Sequence, residues 1–161
     1  MSKDSSQSVA LSAPAISGVL VGRYDYAMDP KKRFTIPSGW RTVMGNPEYV
    51  YVMPDRKERC LNLIPRAEME ARLEKLREKA LFDPALNAAL QTIGANSEQL
   101  TLDSQGRIRV CDKLLQFANL TTTVAMVGSV RMVKLWDPKA LAPEDKVEQS
   151  ALDAALESAG F

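Results

Sequence analysis

The sequence predicts an α+β protein, mainly β, in which two similar halves interleave into one compact, barrel-like β-domain with flanking helices. Three observations predict it. The stretch DPKKRFTIP (29–37) returns 74 positions later as DSQGRIRVC (103–111), keeping an acid, a turn, an Arg and a β-prone run. The order turn, strand, short helix, strand, strand, helix recurs in both halves. Finally, a half offers only about 45 residues of short strands, too little apolar area to offset its own chain entropy. Interleaving the halves solves that problem, and 161 residues suit one ordinary domain.

The elements follow in chain order. GRYDYAM (22–28) alternates around Tyr24, Tyr26 and Met28 and stops at Asp29-Pro30, which is turn chemistry. RFTIP restarts a strand and ends at Pro37. Ser38 is placed to cap a single helical turn in SGWRTVMG (38–45). EYVYVM (48–53) and CLNLI (60–64) form a hairpin around the charged turn PDRKER (54–59), which reads as a solvated tip. In the second half LTLD, RIRV, DKLLQFA, TVAMVGS and VRMVKLW repeat the scheme, with Gly128-Ser129 as a tight turn. At the offset of 74, Asp29 matches Asp103, Arg33 matches Arg107, Phe34 matches Ile108, Ile36 matches Val110 and Leu61 matches Leu135. Trp40 and Trp136 sit in matched regions and read as core or subunit-contact anchors.

Between the halves, residues 66–82 place Met69, Leu73, Leu76 and Ala80 on one helical face. The charges make no uniform ladder, so packing must hold this helix. Asp83-Pro84 reads as N-cap and first helical residue of a second helix ending near Gly94. A last helix is expected over 143–158, with Val147, Ala151, Ala154 and Leu156 available for contact. The expected organisation is a Ser/Ala-rich mobile arm (1–17), one interleaved domain (18–141) and a C-terminal helix (142–161). Within the domain the first half is 18–82, the helical connection 83–97 and the second half 98–141.

Composition narrows the chemistry. There is no His, which removes Ser-His and Cys-His nucleophile pairs and His-containing zinc sites. Cys60 and Cys111 stand alone, without CxxC spacing, and fit a reduced cytoplasmic setting. No run of about 18 apolar residues predicts a membrane span. No Gly-rich phosphate loop or metal-ligand cluster implies a cofactor. Paired acids of an aspartic-protease type are absent, so an enzyme is not expected. Net charge is +1, yet Lys31, Lys32, Arg33 and Arg41 crowd residues 29–41. A neutral total can hide a basic face, and a phosphate backbone responds to the face.

The paired turns carry the candidate site. Asp29 and Asp103 can accept backbone N–H bonds two residues on and fix their loops. Arg33 and Arg107 then project from a rigid strand end, where a guanidinium can bridge phosphates or reach guanine O6 and N7. Lys31, Lys32 and Arg109, with Lys113, can add phosphate contacts that carry little sequence information. Each Asp and Arg can equally pair as a structural clip, and the two roles are compatible.

GRYDYAMDPKKRFTIPSGWR, VYVM and CLNLIP, then LTLDSQGRIRVCDKLL and VAMVGSVRMVKLWDP, resemble the MraZ family over roughly residues 18–141. The resemblance implies AbrB-like swapped β-hairpin halves and ring-shaped homo-oligomers. It also implies repression at direct repeats in double-stranded DNA upstream of the cell-division and cell-wall gene cluster, hence a cytoplasmic, nucleoid-associated regulator. The family's signature, Asp, three residues, Arg, falls on Asp29 with Arg33 and on Asp103 with Arg107, the Arg being the expected DNA contact. The family's Gly before that Arg is Gly106 in the second half but Lys32 in the first. Pro37 has Cys111 as its counterpart. Two other readings stay open: a ring-forming scaffold without a DNA ligand, and an antitoxin-like regulator of another operon.

Overall fold

The structure is a computed structural model and describes residues 16–141 and 149–161. Most of the expected N-terminal arm (1–15), and the start of the last helix with Val147, lie outside the described residues. Eight strands and five helices follow one another among the rest. The first half supplies β1 (Arg23–Ala27), β2 (Arg33–Thr35), α1 (Ser38–Val43), β3 (Tyr49–Pro54) and β4 (Leu61–Pro65). The helices α2 (Arg66–Ala80) and α3 (Pro84–Asn96) connect the halves. The second half supplies β5 (Glu98–Thr101), β6 (Arg107–Arg109), α4 (Asp112–Phe117), β7 (Thr123–Gly128) and β8 (Val133–Trp136), and α5 (Gln149–Ser158) follows.

The strand order β1-β7-β8-β4-β3-β5 shows how the halves interleave. β1 leaves its own half and pairs antiparallel with β7, from Arg23 opposite Val127 to Ala27 opposite Thr123. β5 returns the exchange by pairing with β3, from Tyr49 opposite Thr101 to Val52 opposite Glu98. β2 and β6 form a separate two-stranded ribbon, in contact with β1 and β5 respectively, so it bridges the two edges of the open sheet. In that ribbon Phe34 faces Ile108, its own counterpart at offset 74. Leu61 likewise faces Leu135 across β4 and β8. An antiparallel register centred on matched residues is what a twofold relation between the halves requires.

Phe34, Ile36, Val50, Val52 and Leu61 share one core with Ile108, Val110, Val124, Met126 and Leu135. Leu20, which is fully buried, joins them from ahead of β1. Fully burying a side chain of this size contributes about 1.5–3 kcal/mol, so the shared core supplies what neither half could. A satellite cluster holds Cys60, Ala125 and Trp136. Burial pushes the Cys60 thiol up to about 11. Cys60 and Cys111 are unbridged. Trp40 and Trp136 are both buried, but they are not repeat counterparts. The residue matching Trp40 is Leu114, in α4, and the Trp40 indole N–H donates to the Val21 carbonyl at 2.9 Å.

Local signals decide the ends. Ser38 does not cap α1: it is the first helical residue, and Pro37 holds the cap position with φ −52° and ψ 139° and no side-chain cap. Proline's fixed φ already suits that extended entry. Asp83 does cap α3, accepting from the Ala85 and Leu86 amides, with Pro84 at the first position. α1 and α4 end alike, with Gly45 and Asn119 at positive φ. The next amides, of Asn46 and Leu120, return to the carbonyls of Arg41 and Leu115, a Schellman closure in both halves.

In α2 only Met69 and Ala80 are buried, while Leu73 and Leu76 are half-buried. Arg66–Glu70, Glu68–Arg72 and Glu74–Arg77 ion pairs form along it. Glu68 also binds Arg131 of the β7–β8 turn at 3.2 Å, tying the helical connection to the second half. Ala151, Ala154 and Leu156 are exposed, as no described residue of α5 is buried. No helix among the described residues is long and apolar enough to cross a membrane.

Candidate nucleic-acid interface

The two Asp-to-Arg turns have the same wiring. Asp29 Oδ1 accepts from the Lys31 amide at 2.9 Å and the Arg33 amide at 2.7 Å, and Oδ2 accepts from Arg33 Nε at 2.7 Å. Asp103 Oδ1 accepts from the Gln105 and Arg107 amides, both at 2.9 Å, and Oδ2 accepts from Arg107 Nε at 2.7 Å. Backbone bonds close each turn: Lys32 N–H to the Asp29 carbonyl in one, Gly106 N–H to the Asp103 carbonyl in the other. The Arg33 amide, then its guanidinium and the Lys31 amide, hold the Asp29 carboxyl below the usual range against a smaller opposing effect of burial. The Arg107 amide leads the same effect on Asp103.

Each clip engages Nε and leaves the outer edge of the guanidinium, its two Nη groups, outside it. A carboxylate therefore aims the arginine without occupying the bidentate edge that phosphate or guanine would use. The clip and the contact are thus geometrically separable on one side chain.

The ribbon brings the turns together. Phe34 and Ile108 point into the core, so Arg33, Thr35, Arg107 and Arg109 share its opposite face. Arg33 stands directly across from Arg109, and Thr35 across from Arg107. Like charges facing each other across a ladder are destabilising unless something offsets them. Here Asp29 holds Arg33, while Asp112 holds Arg109 Nη2 at 3.0 Å and lies 3.7 Å from Lys32 Nζ. Arg109 Nη1 also donates to the Val110 carbonyl. Lys31, Lys32, Arg109 and Lys113 are all exposed.

The structure gives a specific place to Arg41, which the sequence showed only as part of the basic run 29–41. Arg41, in α1 of the first half, lies against Gly106 of the second: a Cβ there would come within 2.5 Å of its guanidinium. Its Nε donates to the Ile36 carbonyl at 3.0 Å, and the Ile36 amide donates to the Gly106 carbonyl. The first turn carries its own cation at the matched position, Lys32. The second receives one from the other half. Only the missing side chain at Gly106 hints at this in sequence.

The expected solvated tip at 54–59 holds for Arg56, Lys57, Glu58 and Arg59, which are exposed, but not for Asp55. Asp55 Oδ1 accepts from Lys134 Nζ at 3.0 Å and Asn62 Nδ2 at 3.1 Å, and Oδ2 accepts from the Lys57 and Glu58 amides at 2.9 Å. That network fastens the β3–β4 hairpin to β8. It is a structural pin, away from the ribbon.

Comparison with known proteins points to one family. A family model described as "MraZ protein, putative antitoxin-like" matches residues 93–143. A "Transcriptional regulator MraZ" of Corynebacterium jeikeium is 31% identical over 121 residues, covering 75% of this chain and 82% of the relative. One from Rhodospirillum rubrum is 31% identical over 136 residues, covering 81% and 87%. One from Clostridium acetobutylicum is 24% identical, covering 89% of this chain and its own full length. Those relatives are named as transcriptional regulators, not as enzymes. With that identity and coverage added to the paired turns, the chain belongs to the MraZ family.

Proposed function

We propose that the protein is a transcriptional regulator that binds double-stranded DNA sequence-specifically through the β2–β6 ribbon. Its action is repression at direct repeats upstream of its own operon, in the cell-division and cell-wall gene cluster. The observation that carries the reading is the identical clip in both turns, which orients Arg33 and Arg107 while leaving their Nη edges outside the clip. Base-edge contacts from these two supply specificity, and Lys31, Lys32, Arg109 and Arg41 supply phosphate contacts. Names of the family relatives support regulation.

Self-association into a closed head-to-tail ring completes the reading. Such a ring presents its ribbons in one sense around a rim, which suits direct repeats, whereas a simple twofold dimer suits palindromes. Weak contacts from each protomer then add through effective concentration. A cytoplasmic, nucleoid-associated location follows from a chromosomal target.

The test is binding to a duplex from immediately upstream of its own coding sequence, against a scrambled duplex, over a salt series. Arg33→Ala, Arg107→Ala and the double variant run alongside, with oligomeric state checked by light scattering. Preference for the upstream duplex that collapses in folded Arg variants supports the reading. Equal, weak binding to both duplexes with no Arg effect refutes it and favours the ring scaffold. Preference for another operon's control region favours the antitoxin-like alternative, which the family description also names.

A further inference from the structure

We propose that Asp112 tunes the DNA specificity of this interface by restraining two cations, Lys32 and Arg109, that would otherwise bind phosphate indiscriminately. The inference rests on the DNA-binding reading above and assigns a role within it that neither turn motif contains.

The argument starts from the asymmetry of the ribbon. Residues on its outer face at the first turn are Lys31, Lys32, Arg33 and Arg109, and the corresponding positions of the second turn are Gln105, Gly106, Arg107 and Thr35. Even with Arg41 added to the second end, the first carries the larger positive charge. Asp112 lies at this richer end, bonded to Arg109 Nη2 at 3.0 Å and 3.7 Å from Lys32 Nζ. Its counterpart at offset 74 is Ser38, which carries no charge. The acid therefore stands only where the surplus of cations is.

Its placement suits restraint more than stability. The Asp112 side chain is 62% exposed, so its ion pairs there contribute little to folding. Near DNA the same carboxylate has two effects. It occupies the guanidinium edge that Arg109 would offer to phosphate, and it repels phosphate from the end where sequence-blind affinity would be greatest. Arg33 and Arg107 are held by their own acids and not by Asp112. Removing the charge should therefore raise non-specific binding more than specific binding.

The experiment compares the full-length protein with Asp112→Ser, which copies the first half, and Asp112→Asn, which keeps the shape and removes the charge. Binding to the upstream and scrambled duplexes is measured across salt, after thermal unfolding has shown that both variants are folded. For both variants, affinity for the scrambled duplex is expected to rise about three- to tenfold, with a salt slope steeper by about one to two. The upstream duplex gains less, so the specificity ratio falls. In a Lys32→Ala, Arg109→Ala background the same substitutions should have a clearly smaller effect, since only the repulsion of phosphate is then relieved. Unchanged scrambled-duplex affinity and slope in the otherwise wild-type background, or selective loss of upstream binding, would overturn this role while leaving the DNA-binding reading intact. Absence of any Arg33- and Arg107-dependent preference in the wild-type protein would overturn both.

Discussion

Lys32 and Gly106 occupy the same step of their turns with the same left-handed backbone, φ 59° and φ 77°. Glycine takes that conformation freely, whereas a residue with a Cβ does so at a cost of roughly 1–2 kcal/mol. Lys32→Gly is therefore expected to stabilise the fold by about 1 kcal/mol, raising Tm by roughly 2–4 °C in thermal unfolding. Gly106→Ala should do the reverse and also displace Arg41, whose guanidinium occupies the space its Cβ needs. A resulting shift in the Arg41 side-chain NMR signals would report that displacement directly.

Asp29 and Asp103 separate charge from geometry. Replacing either with Ala makes the ribbon more positive, so charge alone predicts tighter binding to any duplex. The turn, however, loses two backbone acceptor bonds and the Nε clip that aims its arginine. The expected outcome is a roughly tenfold lower preference for the upstream over the scrambled duplex, with scrambled-duplex affinity maintained. Equal loss on both duplexes would point instead to a damaged fold.

Asp55 governs acid sensitivity. Burial opposes its ionisation, but the Lys57 amide, the Lys134 ammonium, the Glu58 amide and the Asn62 amide group outweigh it and hold the carboxyl well below its usual range. A depressed folded-state pKa gives stability that is fully present above the unfolded value, near 3.9, and is lost as pH falls toward the folded one. Urea unfolding should thus show stability falling below about pH 4. Asp55→Ala should cost about 2 kcal/mol at neutral pH, since it leaves Lys134 without its charge partner. The variant should also show a shallower loss of stability in acid.

Gly128 is fixed by the close approach of β7 to the backbone of Leu20 and Val21, ahead of β1. A Cβ there would meet the Leu20 carbonyl oxygen at 2.7 Å and Val21 Cα at 2.8 Å, both backbone atoms. Gly128→Ala must therefore push the 20–22 segment away and weaken the paired bonds between Leu20 and Val130. A cost of about 2–3 kcal/mol is expected in denaturant unfolding, with faster hydrogen exchange at the Leu20 and Val130 amides.

What could be read from the chain was local and periodic. The Asp29 and Asp103 turns, the hairpin of β3 and β4 and the Asp83-Pro84 helix start depend on a few adjacent residues, so each leaves a compact pattern. Where two local signals competed, reading was weaker: Ser38 had the chemistry of a cap, but Pro37 held the conformation. α5 had apolar residues at plausible positions, but no described one is buried, because periodicity gives a face without supplying anything to cover it.

The sequence by itself determined the duplication, the turn wiring and the need for the halves to share a core, because these follow from repeated motifs and the entropy of short strands. Only the tertiary structure decided the exchange of β1 and β5 and the alignment of Arg33 with Arg109. It alone also placed Arg41 on Gly106, Asp112 beside Lys32, and Asp55 on Lys134. Those relations join residues far apart in the chain, and they are set by strand register and by the twofold relation between the halves. A one-residue slip in that register would turn Arg33 inward and Phe34 outward, so the buried Phe34–Ile108 pair is what holds the charged face in place.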